Sequence, residues 1–376
     1  MDKDKLLEHD CTRITCVIHS KLSGTVTDKL FSSGIERIFV ESARCIRQRI
    51  MSRMFSLPGK KIEINDSPAE VLRICVPKEN RQSILNLIID TAELRTPGRG
   101  SVYAQDIKQI SEMGLPRINS KSDEGGIILK DLSFINAILS KKGDGEKLAA
   151  LSLKLGGGVP VITRGTGTSI RDRLGLIRIT IPPEKELVHL VVAAHDAPVL
   201  ERLLIDEGHI DRPGGGFIYR TPVYGGILDP MLSIGRQEKA ASIEQIIAAL
   251  DDLKKSTSWR KRFVGEEYRF SNEEPSAPVF SEISFISPED SSDVILKAVT
   301  EAGASGVTTG FLRCVTGEDK ETINPVRIRG IMCVPKKIED KITETIIQTA
   351  KKAKIPIIIQ KIPAFGVFSH KRYTKL

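Results

Sequence analysis

The chain is poor in aromatic residues, with one Trp, five Tyr and twelve Phe in 376 positions. It therefore lacks the stacking rows on which single-stranded nucleic acids are held. No window approaches the roughly 18 uninterrupted apolar residues of a membrane helix. The first nine residues carry Lys, Asp and Glu and no apolar stretch, so no secretory signal is expected there. Cysteine is sparse and scattered at positions 11, 16, 45, 75, 314 and 333, never at the C-x-x-C spacing of a zinc or redox site. A G-x-S-x-G elbow, an H-E-x-x-H pair and a P-loop lysine are all missing. These absences predict a reduced, cytoplasmic protein that is not an enzyme, with no catalytic residues, no resident metal and no transmembrane segment.

Basic residues outnumber acidic ones, 56 to 48, giving a formal charge of +8. Six of them (Arg44, Arg47, Arg49, Arg53, Lys60, Lys61) fall in one stretch with no acidic residue. Such a run reads first as a solvated loop. A nucleic-acid binder ranks only third among the functional readings, and it requires steep loss of affinity with salt. His195, Asp196, His209 and Asp211 flank one amphipathic segment. A helix between them, at about 1.5 Å rise per residue, holds its two ends ~20 Å apart, too far for one metal.

What the chain does have is an internal repeat. Ile74-Cys75-Val76-Pro77-Lys78 is matched by Met332-Cys333-Val334-Pro335-Lys336, each closing an apolar strand and opening a helix. A third copy runs from Leu187 to Ala194, an apolar strand interrupted only by His189, into a helix with Val199, Leu200, Leu203 and Leu204 on one face. Upstream of each lies another strand–helix–strand. The pattern predicts an α+β fold of three tandem ferredoxin-like βαββαβ repeats, over 11–110, 132–228 and 280–370, packed sheet to sheet. Residues 111–131 read as a linker. Residues 229–279 read as a helical linker, in which Ser242 and Gln245 form a capping box before an amphipathic helix ending in basic residues.

Glycines cluster in the middle repeat at Gly165-Thr166-Gly167-Thr168, read as following a strand, and at Gly214-Gly215-Gly216, before one. Such loops bring backbone N–H groups close to an anion. Gly98-Arg99-Gly100 holds the second place in the first repeat, and Ala364-Phe365-Gly366 in the last.

This arrangement resembles the P-II nitrogen-regulatory signalling proteins and their P-II-like relatives. The resemblance implies a trimer of ferredoxin-like domains, here fused into an intramolecular pseudo-trimer. It implies an adenine nucleotide (ATP, ADP or AMP) as effector in clefts between subunits, and a protein target contacted by mobile loops. The residues implied to bind are Gly165, Thr166, Gly167, Thr168, Gly214, Gly215, Gly216, Gly98, Arg99 and Gly100. The loop between Thr168 and Lys185, with Arg171, Arg173 and Arg178, and the basic loop from Arg44 to Lys61 are the implied switches. The family's basic residue after the second loop is replaced by Ser101, Phe217 and Val367. A scaffold of the same fold that has lost its ligand is the alternative expectation.

Overall fold

A computed structural model of the chain describes residues 6–51, 61–118, 128–169, 184–229, 232–233, 279–317 and 325–369. The first third runs β1 (Leu7–His19), α1 (Ser23–Ser32), β2 (Arg37–Met51), β3 (Lys61–Pro77), α2 (Arg81–Thr91) and β4 (Gly100–Ser111). The second runs β5 (Leu129–Leu139), α3 (Asp144–Lys154), β6 (Val161–Ser169), β7 (Glu184–Ala193), α4 (Ala197–Glu207) and β8 (Gly216–Ile227), followed by the short β9 (Leu232–Ser233). The last runs β10 (Phe280–Pro288), α5 (Ser292–Glu301), β11 (Gly306–Thr316), β12 (Val326–Pro335), α6 (Lys336–Ala353) and β13 (Ile358–Ser369).

The expected three ferredoxin-like domains, assembled as a pseudo-trimer of separate sheets, give way to a different architecture. All thirteen strands belong to one hydrogen-bonded sheet that closes on itself as an antiparallel barrel, with only β2–β9 parallel. One circuit passes β10-β12-β11-β6-β7-β5-β8-β13 and returns to β10. The cause is the cost of open edges: an unpaired strand leaves a row of unsatisfied N–H and C=O groups. Here each edge finds a partner in another third. The end of β11 pairs with the start of β2, the body of β2 with the start of β6, and the end of β6 with the start of β11. A second set joins β4, β8 and β13 in the same cyclic manner. Strand hydrogen bonds, rather than stacked faces, thus unite the three parts.

Most long strands are buried on both faces, so the period-2 alternation separates two kinds of interior. On β1, Ile14, Cys16 and Ile18 face outward onto α1 and α2, where they pack with Val26, Leu30, Ile84, Leu85 and Ile88. The middle third repeats this with Ile135, Ala137, Val188 and Leu190 against Leu148, Leu200 and Leu204. The last third places Ile283, Phe285, Met332 and Val334 against Ile295, Val299, Ile342 and Ile346. Truncating any one of the leucines or isoleucines among them to Ala costs about 2–5 kcal/mol. The opposite strand faces line the barrel interior.

Several finer expectations shift. Gly165 and Gly167 lie within β6 rather than in a loop after a strand, because β6 extends to Ser169 to reach β11. Ala364, Phe365 and Gly366 lie inside β13. The position matching Gly100 and Gly216 at the strand start is Ile358, which pairs with Ile286 as Gly100 pairs with Ile18 and Gly216 with Leu139. The Ser242 helix, Arg171, Arg173, Arg178 and most of the expected loop from Thr168 to Lys185 lie outside the described residues, as do 52–60. The start of the expected basic loop, from Arg44, instead continues β2 to Met51, because it pairs with β3. No helix among the described residues is long and apolar enough to cross a membrane.

Candidate functional site

The expected glycine site does not converge. β6 and β8 are separated in the sheet by β7 and β5, a gap of about 14 Å at the usual strand spacing. Gly165 serves the closure itself. A Cβ there would lie 2.5 Å from the backbone carbonyl of Thr309 on β11, so only glycine lets the two strands approach. The Thr166 carbonyl accepts the Thr309 hydroxyl at 3.1 Å, and Gly167 and Thr168 pair with Thr308 and Val307. At the second segment the Gly215 N–H donates to the Arg212 carbonyl (2.8 Å), and Gly216 opens β8 opposite Leu139. Gly214 alone faces open space.

The first-third loop is anion-binding in form, and the chain fills it. Gly98, at φ +87°, donates its N–H to Oδ1 of Asp229 at 2.8 Å. Arg47 donates to the other carboxylate oxygen and, at 3.1 Å, to the Gly98 carbonyl. The Asp229 N–H in turn donates to Ser101 Oγ at 2.8 Å. Arg99 turns away, its Nε on the Ala92 carbonyl (3.0 Å) and its guanidinium 3.4 Å from Glu93. Arg44 of the basic run is held between Asp66 (2.8 Å) and Glu146 (2.7 Å).

The densest polar chemistry lies where no motif pointed, inside the barrel. Arg13, Arg73 and Arg329 are each at least nine-tenths buried, and so are Glu41, Glu282 and His189. Arg73 donates to Glu41 at 2.6 Å. Glu282 meets Arg13 at 3.4 Å and Arg329 at 3.7 Å, and accepts the Tyr219 hydroxyl at 2.8 Å. Asn136 donates to that same hydroxyl oxygen at 2.8 Å. Arg13 also donates to Gln105 (2.9 Å) and Gln360 (3.3 Å). Burial alone raises the Glu282 carboxyl, but Arg13 and Arg329 outweigh it and hold it below its usual range. Burial likewise raises Glu41, and Arg73 and Arg329 bring it down. Arg329 is pushed down to about 10, by desolvation first and then by Arg73 and Arg13.

His189 stacks on Phe134 at 5.4 Å between centroids, with Nε2 3.1 Å from the Thr163 hydroxyl. Desolvation pushes its pKa down to about 3, so the ring is neutral. Nδ1 is sealed and has no partner. A hydroxyl beside a histidine suggests a nucleophile and its base. A useful base, however, needs a pKa near the working pH and a group orienting its far nitrogen. His189 has neither.

The interior arginines and glutamates escaped sequence reading because each is a single charge within a strand and belongs to no motif, as in Leu72-Arg73-Ile74 or Thr12-Arg13-Ile14. In an open sheet that face meets water. Only closure makes it an interior, and the interruption of an apolar strand by His189 was the one local signal. Among the described residues no group of three His, Cys, Asp or Glu could hold a metal. No protein-family model matches the chain, and no curated protein matches it.

Proposed function

We propose that the chain is a regulatory interaction scaffold, the alternative to a nucleotide-binding regulator, acting on a protein target without catalysis and without a bound nucleotide. One observation carries the reading: the loop that would receive a phosphate, at Gly98, already receives the carboxylate of Asp229. The barrel interior supports it, since its arginines and glutamates are held by one another in a packed frame, and the one histidine there is neutral and lacks an orienting partner. Six unpaired cysteines suit a reducing cytoplasm.

The second reading, an adenine-nucleotide effector, is favoured at one place, the Arg212–Gly216 loop, where Gly214 borders open space. Calorimetric titration with ATP, ADP, AMP and cyclic AMP, with and without Mg²⁺, separates the two. The scaffold gives no saturable heat with any of them. Micromolar binding at one site per chain, lost in a folded Gly215→Val variant, replaces the scaffold with the effector reading.

A further inference from the structure

We propose that the barrel contains a binding site for a small monovalent anion, in a pit floored by Arg73 and lying between the first and second thirds. The inference is independent of the scaffold reading. The pit is lined on the first third by Val17, Val71, Arg73 and Tyr103, and on the second by Phe134 and His189, among others. It offers about 30 Å³ that the centre of a water can occupy. One water needs about 10–15 Å³ by that measure, so the space suits a small ion of one to four heavy atoms and excludes a nucleotide.

Three observations make the occupant an anion. First, among the described residues Arg73 commits one nitrogen, Nη1, to a single acceptor, Glu41. Its other donors are not among the sealed, unpartnered atoms of the interior, so they open onto the pit that Arg73 lines. A guanidinium carries five N–H donors in a planar fork suited to an anion on its free edge. Second, in the cluster beside the pit three arginines (Arg13, Arg73, Arg329) face two glutamates (Glu41, Glu282), Asp229 on the pit wall is matched by Arg47, and His189 is neutral. One positive charge is left over, and a buried charge calls for a counter-charge. Third, the Ser101 hydroxyl on the pit wall accepts the Asp229 N–H, which leaves its own hydrogen to donate. Asp229 also lines the pit, but its two carboxylate oxygens are taken up by the Gly98 N–H and by Arg47. The rest of the wall is valine, leucine, the neutral His189 and aromatic rings, which strengthens a charge contact by excluding water. Only an ion of halide, nitrate or formate size fits.

The test uses the full chain in sodium gluconate, whose anion is too large for the pit. Gluconate is replaced stepwise by chloride, bromide, nitrate or formate at constant ionic strength, and thermal unfolding is followed. The expected result is a midpoint that rises and saturates with the small anion, since a ligand of the native state stabilises by mass action. Arg73→Lys keeps a cation beside Glu41 but removes the second donor edge, and it should raise the half-saturating concentration at least tenfold. Formate matching bromide extends the site to carboxylates, and formate without effect restricts it to halide and nitrate. Should Arg73→Lys fail to fold, crystals of the unaltered chain in bromide decide by anomalous scattering. A peak in hydrogen-bond reach of the Arg73 guanidinium supports the site. Bromide on the outer surface alone, or unfolding midpoints equal in gluconate and chloride, overturns it.

Discussion

Tyr219 on β8 donates its phenolic hydrogen to Oε2 of Glu282 on β10 at 2.8 Å, joining two thirds of the barrel through one buried contact. Glu282 also faces Arg13 from the remaining third. Glu282→Gln therefore leaves two buried guanidiniums short of a counter-ion and should cost about 3–5 kcal/mol. Tyr219→Phe removes a hydrogen bond to a charged group and should cost about 1–3 kcal/mol. Urea unfolding followed by circular dichroism measures both, and equal losses would contradict this ordering.

Stability should fall on the acid side in two stages. His189 has an ordinary value of 6.5 and a folded value of about 3, so below pH 6.5 the unfolded chain binds a proton that the fold refuses. This contribution is complete above 6.5 and is lost as pH falls toward 3. Between pH 6.5 and 4.5 it removes about 2–3 kcal/mol, at roughly 1.4 kcal/mol per unit. Below 4.5 the lowered carboxyls of Glu41 and Glu282 add to the loss, since their stabilisation disappears as they are protonated. His189→Gln should flatten the upper stage and spare the lower one in unfolding titrations at successive pH values.

Two glycines three strands' width from the other loop make a paired comparison. Gly165→Ala sets a methyl against the fixed Thr309 carbonyl, whereas Gly167→Ala meets only the flexible Lys185 side chain. The first should cost about 1–3 kcal/mol as overpacking, and the second less than about 1 kcal/mol. Thermal melts of the two variants check the order.

Asp229→Ala takes the carboxylate from the Gly98 N–H and from Arg47. The loop ahead of β4 should then open more readily, with the Gly98 amide exchanging its hydrogen at least ten times faster by NMR. An unchanged exchange rate would show that the turn is held by its backbone alone. Stability should drop by about 1–3 kcal/mol for the unsatisfied partners.

Much of the element order was legible because helix and strand periods are local. The repeated Val-Pro-Lys at residues 76–78 and 334–336 marked two strand–helix junctions correctly. Closure was not legible, because it depends on pairings such as Arg313 with Val40, which no local pattern encodes. The glycine pairs were visible, but their cause lay across the sheet: Gly165 answers to Thr309, a residue more than a hundred positions away. For the same reason Arg13 and Glu282 read as ordinary polar positions of strands. Their partnership exists only once the barrel is shut.

Each of the twelve long strands has a neighbour on both sides, and the three thirds are joined in cyclic order by their edges. Covalent continuity between thirds is then secondary to the fit of those edges. A chain cut within 112–128 or 234–278 should reassemble from its fragments, as a split protein does. By the same logic, a third borrowed from a neighbouring molecule offers the edges its own chain would offer, and at high concentration during refolding the characteristic error of this architecture is the exchange of whole thirds between copies.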